Sequence, residues 1–306
     1  MLLNIRNETD RLKAVVLGQP GSMGKPPVPE ETYDAKSYES AVRGIYPAEE
    51  DVFREMSAFA QVLQKYDVQV FRPWNIEHCN QVFARDVGFV IDDKIINSNI
   101  IPTRENEKEA YEVVYSQIPY NRIFNLPERA HVEGGDVVLY NDMVFVGLYS
   151  GADYANLKSA RTNLYAFHFL KELFPEKTLI PLELKKHDTD PRQGILHLDC
   201  TFMPVSRNRA LIYKAGFRSE NDYYRLMDIF GKENLFEITQ EEMYQMYTNV
   251  FSISPDVVVS EEHFNRLNNH LEKEWGMTVE RVPYREISKM GGLLRCSTFP
   301  LIRTTD

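Results

Sequence analysis

A thiol, an imidazole and several carboxylates stand at matching points along this chain of 306 residues. The late segment "MGGLLRCSTFPLIR" (290–303) carries Cys296 behind two glycines, inside an otherwise strand-like apolar run. "FARD" ends on Asp86, "HVEGGD" holds Glu133 and Asp136, and "LHLD" holds His197 and Asp199. A thiolate attacks electrophilic carbon, but an unperturbed cysteine, with a pKa near ~8.5, is mostly protonated at neutral pH. His197 titrates near neutrality and can move protons to or from a leaving group or a water. Glu133 can accept a hydrogen bond from one imidazole nitrogen and fix its tautomer.

Asp86 and Asp199 are then left to bind a substrate. Two carboxylates near a thiol raise its pKa, which makes sense only where a bound cation reverses the effect. A guanidinium does so: it is planar, permanently charged, and offers N–H donors in pairs that match carboxylates. Held between two acids it neutralises them, helps generate the thiolate and presents its central carbon for attack.

Taken singly, these residues have plainer readings. Cys296 reads as a buried, apolar-like cysteine and His197 as a hydrogen-bonded structural histidine. The aspartates read as hairpin starts or turn caps, and for Asp136 that reading is preferred. The joint arrangement is what favours a site.

The elements that must position these groups repeat. Segments 85–97, 135–147 and 198–213 each begin near an aspartate, run as an apolar strand, turn at a polar step and return as a second strand. Helical patterns follow at 47–65, 105–116, 159–174, 219–230 and 261–274. Short apolar strands flank them at 68–73, 178–184 and 278–283, with others at 12–18 and 254–260. The unit is hairpin, helix, strand, with a period of roughly 50 to 60 residues. A unit that cannot bury its own apolar face closes on its neighbours, so the pattern predicts a ring of about five units in one α/β domain over 1–306. Equivalent side chains then converge on the ring axis. The stretch 18–40 is the longest irregular segment and reads as a surface loop, of a length often used for lids.

Composition sets outer bounds. The net charge of −10, from 45 acidic against 35 basic residues, repels nucleic acid and anionic membrane. No apolar run approaches the ~20 residues of a membrane span, and the N-terminus turns polar too early for a signal peptide. Cys79, Cys200 and Cys296 are odd in number and have no metal-ligand spacing, which predicts a reducing cytoplasm and neither disulfide framework nor zinc site.

"FARD", "EGGDVVLYNDMVFVG", "HLDCTF" and "GGLLRCST", in this order, resemble the guanidino-group-modifying superfamily, with "NETDRLKAVVLG" resembling its first strand. That superfamily includes arginine deiminases, dimethylarginine dimethylaminohydrolases and amidinotransferases. The resemblance implies a five-fold pseudosymmetric α/β propeller, the pentein fold. It implies Cys296 as nucleophile, His197 as acid/base, Glu133 as its partner, and Asp86 and Asp199 as the grip on the guanidinium. It also implies that Arg161 in "SARTN" and Arg104 in "PTREN" bind a substrate carboxylate, although the extra "YSGADYANLK" before Arg161 departs from the pattern. The plainer reading of both arginines is a solvated charge at a helix end. The implied chemistry needs no cofactor or metal and takes a small cationic guanidino substrate; a homo-oligomer is compatible with it.

Glutamate at the histidine partner's position, where amidinotransferases resemble one another in having aspartate, favours hydrolysis of the C–N bond of a linear amidine. The runner-up is transfer of the amidino group to an acceptor amine. A silent propeller binding a macromolecule would not need the whole set of residues. A papain-like peptidase fails because its nucleophile lies near the mature N-terminus.

Overall fold

The computed structural model describes residues 1–305 and places them in five three-stranded sheets. Each sheet follows one plan: two antiparallel strands, then a third strand parallel to the second. The first consists of β1 (Arg11–Leu17) and β2 (Gln69–Phe71), with its antiparallel member supplied from the far end of the chain. The next three are β3 (Gly88–Ile91), β4 (Lys94–Asn97) and β5 (Ile123–Asn125); β6 (Val137–Tyr140), β7 (Met143–Leu148) and β8 (Thr178–Glu183); and β9 (Phe202–Val205), β10 (Arg209–Ile212) and β11 (Leu235–Glu237). The fifth holds β12 (Phe251–Ser254), β13 (Val257–Glu261) and β14 (Thr278–Val282).

Strand β15 (Thr298–Thr304) closes the circle by pairing with β1 from Arg11 opposite Thr304 to Leu17 opposite Thr298. The result is a five-fold pseudosymmetric α/β propeller. Its hairpins turn where the polar steps predict, at Asp92, Asn141 and Ser206, each with positive φ (52°, 57° and 57°). Such backbone suits the tight turns that match strand twist.

Between the second and third strands of each unit runs a helical connection. The helix Glu49–Lys65 shows why: Val52, Met56, Phe59 and Leu63 fall on one face and are buried, while Glu49, Glu50 and Asp51 occupy its first turn. The helices Leu164–Leu173, Glu220–Phe230 and Asn265–Lys273 serve three other units.

Three expectations change. The segment 105–116 is mostly a 3-10 helix, Pro102–Tyr111, followed by one α turn. The stretch 18–40 is not all loop, since Asp34 caps a helix over Ala35–Val42 by accepting from the Ser37 amide at 2.8 Å. A fourth hairpin, β12–β13, takes in what reads in the sequence as the single strand 254–260. Among the described residues no helix is long and apolar enough to cross a membrane.

Candidate active site

Each of the four hairpins, and the last strand β15, is entered by a short tight turn, and these five turns hold the candidate residues. They are Ala84–Val87 before β3, Gly134–Asp136 before β6, Leu198–Cys200 before β9, Thr248 and Asn249 before β12, and 293–297 before β15. Cys296 therefore sits in a turn ahead of the last strand rather than within it, where the Ser297 amide donates to Leu293 O at 3.1 Å. The glycines before it admit neighbours. Gly291 has φ +87°, and a Cβ there would lie 2.3 Å from Asp34 Oδ1; a Cβ on Gly292 would lie 2.3 Å from the Phe83 ring.

The structure brings Cys296, His197, Glu133, Asp86 and Asp199 together, all buried. Cys296 Sγ lies 3.8 Å from Asp199 Oδ2. His197 Nε2 is 2.8 Å from Glu133 Oε2, and its Nδ1 faces Asp86 Oδ1 at 3.7 Å. Asp86 Oδ1 and His197 Nδ1 have no hydrogen-bond partner. Two facing polar atoms, a carboxylate acceptor and a ring nitrogen, are thus buried and unpartnered, which leaves room for a polar group that meets both.

The electrostatics follow from these neighbours. Burial alone lowers the affinity of His197 for its proton, but Asp86 and the hydrogen bond to Glu133 reverse this and hold the imidazole at about 9. Burial opposes the charge on Glu133, yet the Arg161 guanidinium and the imidazole hold its carboxyl well below the usual range. The Cys296 thiol is pushed far up by burial, then by Asp199 and Asp86.

Arg104 and Arg161 are not solvated helix-end charges. Both are buried, and each holds an acid of the site. Arg104 pairs with Asp86 at 2.6 Å and grips Glu107 through two nitrogens at 2.6 and 2.9 Å. Arg161 donates to Glu133 Oε2 at 2.7 Å and to the carbonyls of Lys158 and Tyr33, each at 2.6 Å. The Tyr33 ring centroid lies 5.5 and 5.8 Å from the two guanidinium carbons. Lys158 Nζ ties down the carbonyls of Glu30 and Thr32 at 2.9 and 2.7 Å. The end of the long loop is thus strapped to Lys158 and Arg161, beside a cleft of about 1290 Å³ lined by Tyr33, Arg161, His131 and Tyr154.

Other partners were not legible as site residues. Arg295 donates to Asp199 Oδ2 at 2.8 Å and to Glu8 Oε1 at 2.9 Å, completing a set in which three site carboxylates each hold one of the chain's own guanidinium groups. Burial opposes the charge of Glu8, but Arg295 and Arg85 hold its carboxyl down at about 2. Asn249 reaches Cys296 Sγ at 3.2 Å. Counting the entry turn of the fourth hairpin would have found Asn249, and Arg295 stands inside the quoted "GGLLRC"; Glu8 leaves no signal beyond its place in "NETD". Asp136 does more than start a hairpin: its Oδ1 accepts from the Leu198 amide at 2.9 Å, tying the turn before β6 to the His197 turn.

Ligand atoms of Asp86, Glu133 and His197 lie within 4.8 Å of one another, close enough to surround a cation. Arg104 and Arg161 already occupy one oxygen each of Asp86 and Glu133. The unpartnered atoms that remain are two, short of the four that a structural zinc takes.

Residues 32–303 match the family described as N,N dimethylarginine dimethylhydrolase, eukaryotic. The chain belongs to this family. The family lies within the guanidino-group-modifying superfamily, so modification of a guanidino group is the reaction class of this dimethylhydrolase-family chain. It is 31% identical to "Uncharacterized protein YkgA" of Bacillus subtilis (strain 168), over 97% of this chain and 94% of that protein. It is 25% identical to the arginine deiminase of Bacillus cytotoxicus over 73% of this chain, and the match spans 62% of that longer protein. Among solved structures, the inosamine-phosphate amidinotransferase StrB1 from Streptomyces griseus superposes with a TM-score of 0.76 at 18% identity, covering 99% of this chain and 97% of that one. The N-terminal domain of ArgZ, an arginine dihydrolase of cyanobacteria, superposes with a TM-score of 0.76 at 17% identity over 96% and 98%. These two share the propeller fold.

Proposed function

We propose that this family member is a cysteine-dependent hydrolase of the guanidino group of arginine or an arginine-like compound. The observation that carries the reading is the unpartnered pair Asp86 Oδ1 and His197 Nδ1, facing each other beside Asp199 and Cys296. A guanidinium bound there donates to Asp86 Oδ1 and to Asp199 and neutralises the field that holds the thiol protonated. The thiol proton then leaves to solvent.

The thiolate adds to the guanidino carbon, forming a C–S bond. His197, protonated at neutral pH, gives its Nδ1 proton to the departing nitrogen; the C–N bond breaks and ammonia or an alkylamine leaves. An S-linked amidino cation remains on Cys296, and His197 is neutral. His197 then takes a proton from water, whose hydroxide adds to the same carbon. The C–S bond breaks, the hydroxyl proton passes to the sulfur, and a ureido product leaves the regenerated thiol. Glu133 keeps the imidazole oriented throughout and favours its return to the charged form after each proton is given up. Arg161 donates to the Tyr33 carbonyl, so a substrate carboxylate reaches it by displacing that strap.

Glu133 at the position where aspartate would suggest transfer is what favours water as the acceptor. The test is incubation with arginine, methylated arginines, agmatine and guanidinoacetate, with ureido product and released amine measured for wild type and Cys296→Ser. The wild type is expected to release amine and ureido product from at least one compound, and Cys296→Ser to lose at least about a thousandfold in kcat. A new guanidino compound formed only when an acceptor amine is added identifies a transferase. No conversion of any compound, or full activity in Cys296→Ser, refutes the mechanism.

A further inference from the structure

The sulfur has a built neighbour that the catalytic set described so far does not use. Asn249 is fully buried in the entry turn of the fourth hairpin. Its Oδ1 accepts from the Cys296 amide at 3.2 Å, and its Nδ2 lies 3.2 Å from Cys296 Sγ. The two contacts fix the amide's orientation. Turned over, the carboxamide would aim a nitrogen at the Cys296 N–H and an oxygen at the sulfur, losing both bonds. The turn is clamped from the opposite side as well. The Arg85 amide donates to Cys296 O at 2.9 Å, and Arg85 Nη2 to Thr298 Oγ1 at 3.2 Å.

We propose that Asn249 is a catalytic residue, whose side-chain N–H carries the negative charge of the Cys296 sulfur once a cationic substrate is bound. The proposal rests on Cys296 as nucleophile. The groups around the sulfur show why a donor is required. Asp199 and Asp86 face it with negative charge; Cys200, beside Asp199, and Tyr284 interact with it as well. Hydrogen-bond donors offset these, and among those acting on this sulfur are the Leu293 backbone and Asn249. Bound substrate cancels the acids but reaches the sulfur through its carbon. The N–H of Asn249 stays in place through both the addition and the expulsion of the thiolate.

The test reads the thiol without any substrate. Alkylation of Cys296 by iodoacetamide is followed across pH by peptide mass spectrometry in wild type, Asn249→Ala and the equal-volume Asn249→Asp. Circular dichroism and thermal midpoints verify folding. Loss of a hydrogen bond to a charged atom predicts about a tenfold to hundredfold slower reaction at pH 7 for Asn249→Ala, with the profile moved to higher pH. Asn249→Asp is expected to be slower still, because it sets an oxygen against the sulfur. If Asn249→Ala does not fold, the Asp variant alone decides. A wild-type rate and pH profile in a folded Asn249→Asp overturns the proposal. Should the wild type convert no guanidino compound while the alkylation profiles still separate, the function above fails and the role of Asn249 as thiolate donor stands.

Discussion

One oxygen of Glu133 serves two cations: Oε2 accepts from Arg161 Nη1 at 2.7 Å and from His197 Nε2 at 2.8 Å. The other oxygen accepts from the Ile101 amide at 3.2 Å. With both oxygens satisfied the buried carboxylate stays ionised, and the imidazole beside it keeps its proton. A buried histidine left to itself would do the reverse.

Glu133→Gln removes the charge and keeps the shape. Burial is then opposed by Asp86 and Asp136 without Glu133, so the His197 pKa is expected to fall from about 9. The alkaline limb of kcat should move down with it, and kcat at pH 8 should drop by about a hundredfold or more. Imidazole titration by NMR, set beside the pH–rate profile, checks both. An unmoved titration would mean that Asp86 and Asp136 alone sustain the proton.

Folding stability carries the same signature. Because the folded pKa lies above the unfolded one, the contribution is fully present below pH 6.5 and is lost as the pH rises through about 9. Its full size is on the order of 3 kcal/mol. Urea midpoints measured between pH 6 and 10 should fall across that window in wild type, and fall less in His197→Ala.

Arg161→Ala leaves Glu133 buried with its main cation gone. Breaking one side of a buried pair typically costs about 3–5 kcal/mol. Denaturant unfolding is expected to show a loss of that order. Arg161→Lys restores charge but not the paired bonds to the Lys158 and Tyr33 carbonyls, so it should recover only part of the loss.

Gly291→Ala forces a side chain into φ +87° and against Asp34, the cap of the helix Ala35–Val42. Strain and overpacking together predict about 1–3 kcal/mol of destabilisation. A rise in proteolytic cleavage within 18–40, with β15 still protected from hydrogen exchange, would place the damage at the strap. An unchanged midpoint would show that Asp34 can move aside.

Much of this was legible in the chain. The hairpin turns at Asp92, Asn141 and Ser206 follow from local polarity and φ preference, which need no knowledge of distant residues. The helix Glu49–Lys65 follows from its apolar spacing for the same reason. The fourth hairpin was hidden because its first strand, "FSIS", sets two serines among its four residues, and its entry turn offers an asparagine where the others offer acids. With it went Asn249.

By itself the sequence determined the repeat, and with it which residues stand at the heads of successive units, because strand and helix periodicity act over neighbours. Which cation meets which acid was left to the tertiary structure. Arg104 on Asp86, Arg161 on Glu133 and Arg295 on Asp199 join elements up to 96 residues apart. Ion pairing depends on distance through space and on exclusion of water, and both exist only once the ring has closed.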